Sequence, residues 1–65
     1  MKLKCKIIGN KKVLVIPAIY EDMFEVGERY NGMLCTRIAR YKVLLIPAII
    51  SDQYEEGKEY DFMPV

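Results

Sequence analysis

The sequence predicts a mainly β fold: a small five-stranded barrel, or else two crossed hairpins, built from a tandem-duplicated β-hairpin unit of about thirty residues, with one or two short helical turns. Three observations predict it. Residues 12–30, KVLVIPAIYEDMFEVGERY, return as residues 42–60, KVLLIPAIISDQYEEGKEY, without a gap. Short apolar runs, many of them β-branched, are punctuated by Gly, Asn and Pro at intervals that suit strands. The 65 residues leave room for one domain only, 1–65, with repeat units 3–30 and 33–60. The repeat also aligns Cys5 with Cys35 and Ile8 with Ile38.

Each element has a local reason. From Met1 to Lys6, lysines alternate with Leu3 and Cys5, the period-two pattern of a half-buried strand. Ile7 and Ile8 interrupt that alternation as a bulge would. Gly9-Asn10-Lys11 supplies turn chemistry, so a hairpin leads into Val13–Ile16, an apolar run suited to a strand covered on both faces. Pro17 cannot donate to a ladder and therefore ends that strand or opens a helical turn. After it, Ile19 with Met23 and Tyr20 with Phe24 stand four residues apart, enough for one or two turns. In the second copy Ser51 is a candidate cap and Gly57 a stop. Tyr30–Ile38 and Tyr60–Met63 read as further strands, and Arg40-Tyr41-Lys42 turns the middle one back into Val43–Ile46.

A chain this short buries only about 60% of the surface its unfolded form exposes. Its residues are 52% hydrophobic, more than such a core can hide, which predicts a homo-oligomer, most simply a homodimer. The longest apolar run, Val13 to Tyr20, is broken by Pro17 and falls short of a membrane span, so a cytoplasmic protein is expected.

Catalytic chemistry has little to stand on. The sequence has no histidine, and its hydroxyl nucleophiles, Ser51 and Thr36, lie in no triad or nucleophile-elbow context. No glycine-rich loop is present to hold phosphate, and no cofactor is expected. Cys5 and Cys35 read either as a soft-metal or redox pair or as two small buried side chains; a zinc site would need two more ligands. The acids Glu21, Asp22, Glu25 and Glu28, and Asp52, Glu55, Glu56 and Glu59, are candidates for cation binding or for a solvated connector, at no calcium-loop spacing. The expectation is a non-enzyme with no metal site.

The bases carry the functional reading. Lys2, Lys4, Lys6, Lys11 and Lys12 fall in an acid-free segment, and Arg37, Arg40 and Lys42 in another. These are equivalent hairpins of the two copies, so a net charge of +1 conceals strong segregation. If both hairpins reach one face, the molecule has a basic end and an acidic end. A basic hairpin face suits phosphate contacts, and Tyr41 stands ready either to stack on a base or to cap the core. The alternatives are lysines that merely protect strand edges, or edges and tyrosines that bind a protein.

The phrase VLVIPAI, a short amphipathic stretch, and then FEVGERY resemble the swapped-hairpin AbrB family, which includes the MazE-type antitoxins. The resemblance covers residues 1–48, through Ile16-Pro17-Ala18, Phe24, Gly27-Glu28 and Val43–Ile46. It implies an intertwined dimer whose basic N-terminal hairpins grip DNA, hence a transcriptional regulator. The stretch from Pro17 to Gly27 is shorter than the family's helix, and the second copy has no counterpart there. The expected function is a small nucleic-acid-binding, AbrB-like regulator; the alternative is a protein-binding module, inhibitor or adaptor.

Overall fold

The computed structural model describes residues 1–63; the last two residues of the expected domain, 64–65, lie outside it. Strands β1 (Lys2–Ile8) and β2 (Lys11–Val15) form the first hairpin, followed by a 3-10 turn (Ala18–Met23) and β3 (Arg29–Tyr30). The second half repeats this as β4 (Met33–Ile38), β5 (Tyr41–Leu45), a 3-10 turn (Ala48–Gln53) and β6 (Glu59–Asp61). All six strands lie in one antiparallel sheet of order β3-β4-β5-β2-β1-β6.

The register explains the duplication. At the centre of the sheet Leu14 faces Leu44, the same position of the two copies, so a local twofold axis passes between them. On either side β1 pairs with β2 and β4 with β5 in equivalent register, Cys5 opposite Leu14 and Cys35 opposite Leu44. The closing strands cross over: β3 pairs with β4, and β6 with β1. Leu3 opposite Tyr60 therefore repeats Met33 opposite Tyr30. Each copy's last strand completes the other copy's hairpin.

Backbone chemistry fixes the turns. Gly9 and Asn10 both have positive φ, as do Asn31 and Gly32, which suits two-residue hairpin loops joining Ile8 to Lys11 and Tyr30 to Met33. Glu28 N–H donates to the Glu25 carbonyl, closing a turn whose third residue, Gly27, has φ 98°. Gly27 N–H then donates to the Cys35 carbonyl while Cys35 N–H donates to Glu28, so two residues face one in a glycine bulge. Gly57, Lys58 and Cys5 repeat the arrangement. The tyrosine hydroxyls tie these turns down: Glu25 N–H donates to Tyr30 Oη at 2.8 Å and Glu55 N–H to Tyr60 Oη at 2.6 Å.

The core lies on one face. Leu3, Cys5, Leu14, Ile16, Met33, Cys35, Leu44 and Ile46 pack there with Phe24 and Phe62, whose rings stand 5.8 Å apart. Phe24 also meets Tyr30 edge-on at 4.9 Å, matched by Tyr54 on Tyr60 at 4.8 Å. The 3-10 turns cover this inner face, and Val13 and Val43 are buried on the outer one. The run expected to be covered on both faces is so only in part: Val13 and Val43 are buried on the outer side, while Val15 and Leu45 there stay half-buried.

Four expectations are corrected. Among the described residues there are six strands, not five, because the Asn31-Gly32 turn divides the run read as one strand. The sheet ends at β3 and β6 and does not close into a barrel. Ile7 and Ile8 stay in register with Lys12 and Lys11, so the bulges lie at Gly27 and Gly57 instead. Ser51 makes no side-chain cap; the residue before each 3-10 turn is a proline.

Candidate functional site: the outer face of the sheet

Strand alternation sorts the expected phosphate-binding residues onto different surfaces. Lys2, Lys4 and Lys6 stand on the outer face of β1, and Lys11 joins them at the start of β2; all four are exposed. Lys2 meets Asp61 at 3.2 Å across the β1–β6 edge. Arg37 belongs to the inner side and lies 3.7 Å from Glu21. Arg40 sits in the turn of the second hairpin.

Lys12 and Lys42 have another use. The Lys12 ammonium donates to the carbonyls of Ser51 and Tyr54, at 2.9 and 2.8 Å. The Lys42 ammonium donates to those of Glu21 and Phe24, at 2.9 and 2.6 Å. Each lysine thus caps the C-terminal end of the other copy's 3-10 turn: it adds a second donor to the Ser51 or Glu21 carbonyl, which already accepts from Tyr54 or Phe24 N–H, and a donor to the Tyr54 or Phe24 carbonyl, where a positive charge is favoured. These two residues are held within the fold and are not placed to contact phosphate.

The two basic hairpins do not share an end. Because β2 and β5 run antiparallel about the Leu14–Leu44 pair, Lys11 lies level with Pro47 and Tyr41 level with Pro17. At about 3.3 Å per residue Lys11 and Tyr41, where the two tips begin, are some 20 Å apart along the strands. Charge is segregated between faces instead. The outer face carries Lys2, Lys4, Lys6, Lys11 and Arg29 against Glu59 and Asp61 at its β6 edge. Glu21, Asp22, Asp52, Glu25, Glu55 and Glu56 belong to the covering 3-10 turns and the turns that follow them.

Between the outer cations lies an apolar strip. The register sets Arg29, Leu34, Leu45, Val13 and Lys6 in one row across five strands. A groove of about 250 Å³ opens at one end of it, lined by Arg29, Gly32, Leu34, Leu45, Ile46 and Pro47. Sequence reasoning did not single out Arg29, Leu34 or Leu45. The available signal was divergence between the copies, since the equivalent positions hold Glu59, Lys4 and Val15.

The thiols do not form a pair. Cys5 and Cys35 are fully buried, and β2 and β5 stand between them. Three strand spacings separate their backbones by about 14 Å, too far for a disulfide. Burial pushes both thiols above their ordinary range, partly offset by Lys12 near Cys5 and Lys42 near Cys35. Among the described residues no three acids or thiols come together as metal ligands. Also among them, no helix is long and apolar enough to cross a membrane.

Comparison with known protein families, with curated proteins and with solved structures finds no match for this chain.

Proposed function

We propose that the protein is a non-enzymatic binding module that holds an acidic protein partner on the outer face of its sheet. One observation carries the reading: four lysines fill one half of that face and Arg29 stands at the far rim, with an apolar strip between them, while most acids belong to the opposite layer. An apolar centre with a charged rim is the usual anatomy of a protein interface. The edge strands are short and charged, which disfavours strand addition and leaves the face as the larger surface. The test compares wild-type bait with Lys4→Glu/Lys6→Glu in nuclease-treated extract. A stoichiometric protein retained by the first and lost with the second supports the reading. No protein distinguishing the two baits counts against it.

The i,i+2 row of Lys2, Lys4 and Lys6 favours a second reading, the DNA-binding regulator of AbrB-like type. Neutralising several phosphates makes affinity fall steeply with salt. A mobility shift on random duplex that vanishes with the same charge reversal, together with a dimeric mass by light scattering, would transfer the assignment to it.

A further inference from the structure

The two copies provide an internal comparison of what each face requires. Inner positions keep their character: Leu3 and Met33, Cys5 and Cys35, Leu14 and Leu44, Ile16 and Ile46. On the outer face Val13 and Val43, and Ile8 and Ile38, are kept, but several other positions are not. Lys2, Lys4, Lys6 and Lys11 are matched in the second copy by Gly32, Leu34, Thr36 and Tyr41, and Glu59 by Arg29. One half of the outer face is therefore cationic, and the other is apolar and grooved. Gly32 leaves the groove open where its counterpart carries a lysine side chain. Leu34 and Leu45 remain half-buried beside it, and the exposed Arg29 at its rim joins no ion pair among the described residues.

We infer that this groove is the anchor site for an acidic segment of a partner protein, which seats one aliphatic side chain between Leu34, Leu45 and Pro47. The inference rests on the binding reading above and names the partner's chemistry. The row from Arg29 to Lys6 spans about 19 Å at the usual strand separation, with a cation at each end, the half-buried Leu34 and Leu45 between them, and Val13 fully buried beside Lys6. A segment crossing the strands along this row meets a guanidinium, then the groove, then an ammonium. Carboxylates flanking an aliphatic residue match that order. No aromatic ring lines the groove, so a nucleobase finds nothing to stack on.

The probe is a fluorescently labelled peptide alternating leucine with aspartate, read by anisotropy, beside a twin with serine for leucine and a random DNA duplex. The variants come from the other copy, where the same backbone already carries them: Leu34→Lys and Arg29→Glu. Circular dichroism checks that each stays folded. Seating a leucine side chain is worth about 1.5 kcal/mol or more, roughly tenfold in affinity. The leucine peptide is expected to bind at least about tenfold more tightly than its serine twin. Leu34→Lys is expected to erase that difference although it adds positive charge, and Arg29→Glu to weaken the leucine peptide about fivefold or more. Equal binding of both peptides, unchanged in Leu34→Lys but lost in Lys4→Glu/Lys6→Glu, overturns the groove and leaves the basic-face reading standing. Binding of neither peptide at low salt overturns both, and a duplex that displaces the leucine peptide from the face overturns the assignment to a protein segment.

Discussion

Replacing Lys42 by methionine is expected to destabilise the protein by about 2 kcal/mol, although the residue is a half-buried lysine near the start of the apolar strand β5. Its ammonium makes two charge-assisted hydrogen bonds, to the carbonyls of Glu21 and Phe24 at 2.9 and 2.6 Å. Such bonds contribute about 1.5–3 kcal/mol each when buried. The site is only half-buried, so water replaces part of what is lost and the sum falls toward the lower figure. Methionine keeps the aliphatic stem and removes only the donor. A 65-residue domain has a total stability of about 3–10 kcal/mol. Lys12→Met removes the equivalent pair of bonds to Ser51 and Tyr54, so the double variant is expected to lose about 4 kcal/mol and to be largely unfolded at the lower end of that range. Urea titration followed by circular dichroism reads the effect: with a slope of about 1 kcal/mol/M, each single change moves the midpoint by about 2 M. Lys4→Met and Lys6→Met, which make no such bonds, serve as controls and are expected to stay within about 0.5 kcal/mol. Equal midpoints for Lys42→Met and Lys4→Met would refute the assignment of Lys42 as a cap.

Ala39 has φ 56° where the first copy has Gly9, so Ala39→Gly is expected to relieve strain and stabilise by about 1 kcal/mol, read as a melting temperature several degrees higher. The buried thiols are expected to resist alkylation in the native state and to react at ordinary rates in denaturant. Their upward shifts also carry a sign. The contribution is full below the unfolded thiol's range and is lost as pH rises through the folded value, so stability falls above about pH 9. Replacing both cysteines by alanine is expected to flatten the dependence of the urea midpoint between about pH 8.5 and 10. Met1 N donates to the Phe62 carbonyl at 3.1 Å, which sets Met1 beside the end of the described residues. A circular permutant opened between Asn31 and Gly32, with the old ends joined by a short linker, is expected to keep a cooperative urea transition and the wild-type circular dichroism spectrum.

Much of the fold was legible because repeat and local chemistry agree. The alternation around Leu3 and Cys5 marked the buried side of β1, Gly9-Asn10 marked its turn, and Pro17 marked the end of β2. Asn31-Gly32 is as strong a hairpin signal, but it sits inside an apolar run that also reads as one continuous strand. The i,i+4 pairing of Ile19 with Met23 pointed to helical turns, and these are present, as 3-10 turns with i→i+3 bonds and both side chains outward. The candidate site was less legible for a geometric reason. Clustering in sequence put Lys12 beside Lys11, but strand alternation sends one to each face. It also grouped the two hairpins, although a twofold axis along the sheet normal sends their tips in opposite directions. Arg29 and Leu34 take on meaning only once β3 is known to lie beside β4.

The crossing of closing strands constrains how the chain acquires its shape during synthesis. The outer edge of β1 is paired by β6, so β1 waits for a segment made about fifty residues later. A nascent chain that has released only its first half holds one hairpin, no Lys42 and no second central strand. Two-stranded hairpins are marginal in water. Acquisition of structure is therefore expected to be a late, single event, with the ribosome holding an apolar, partner-seeking ribbon until the last strand clears the exit.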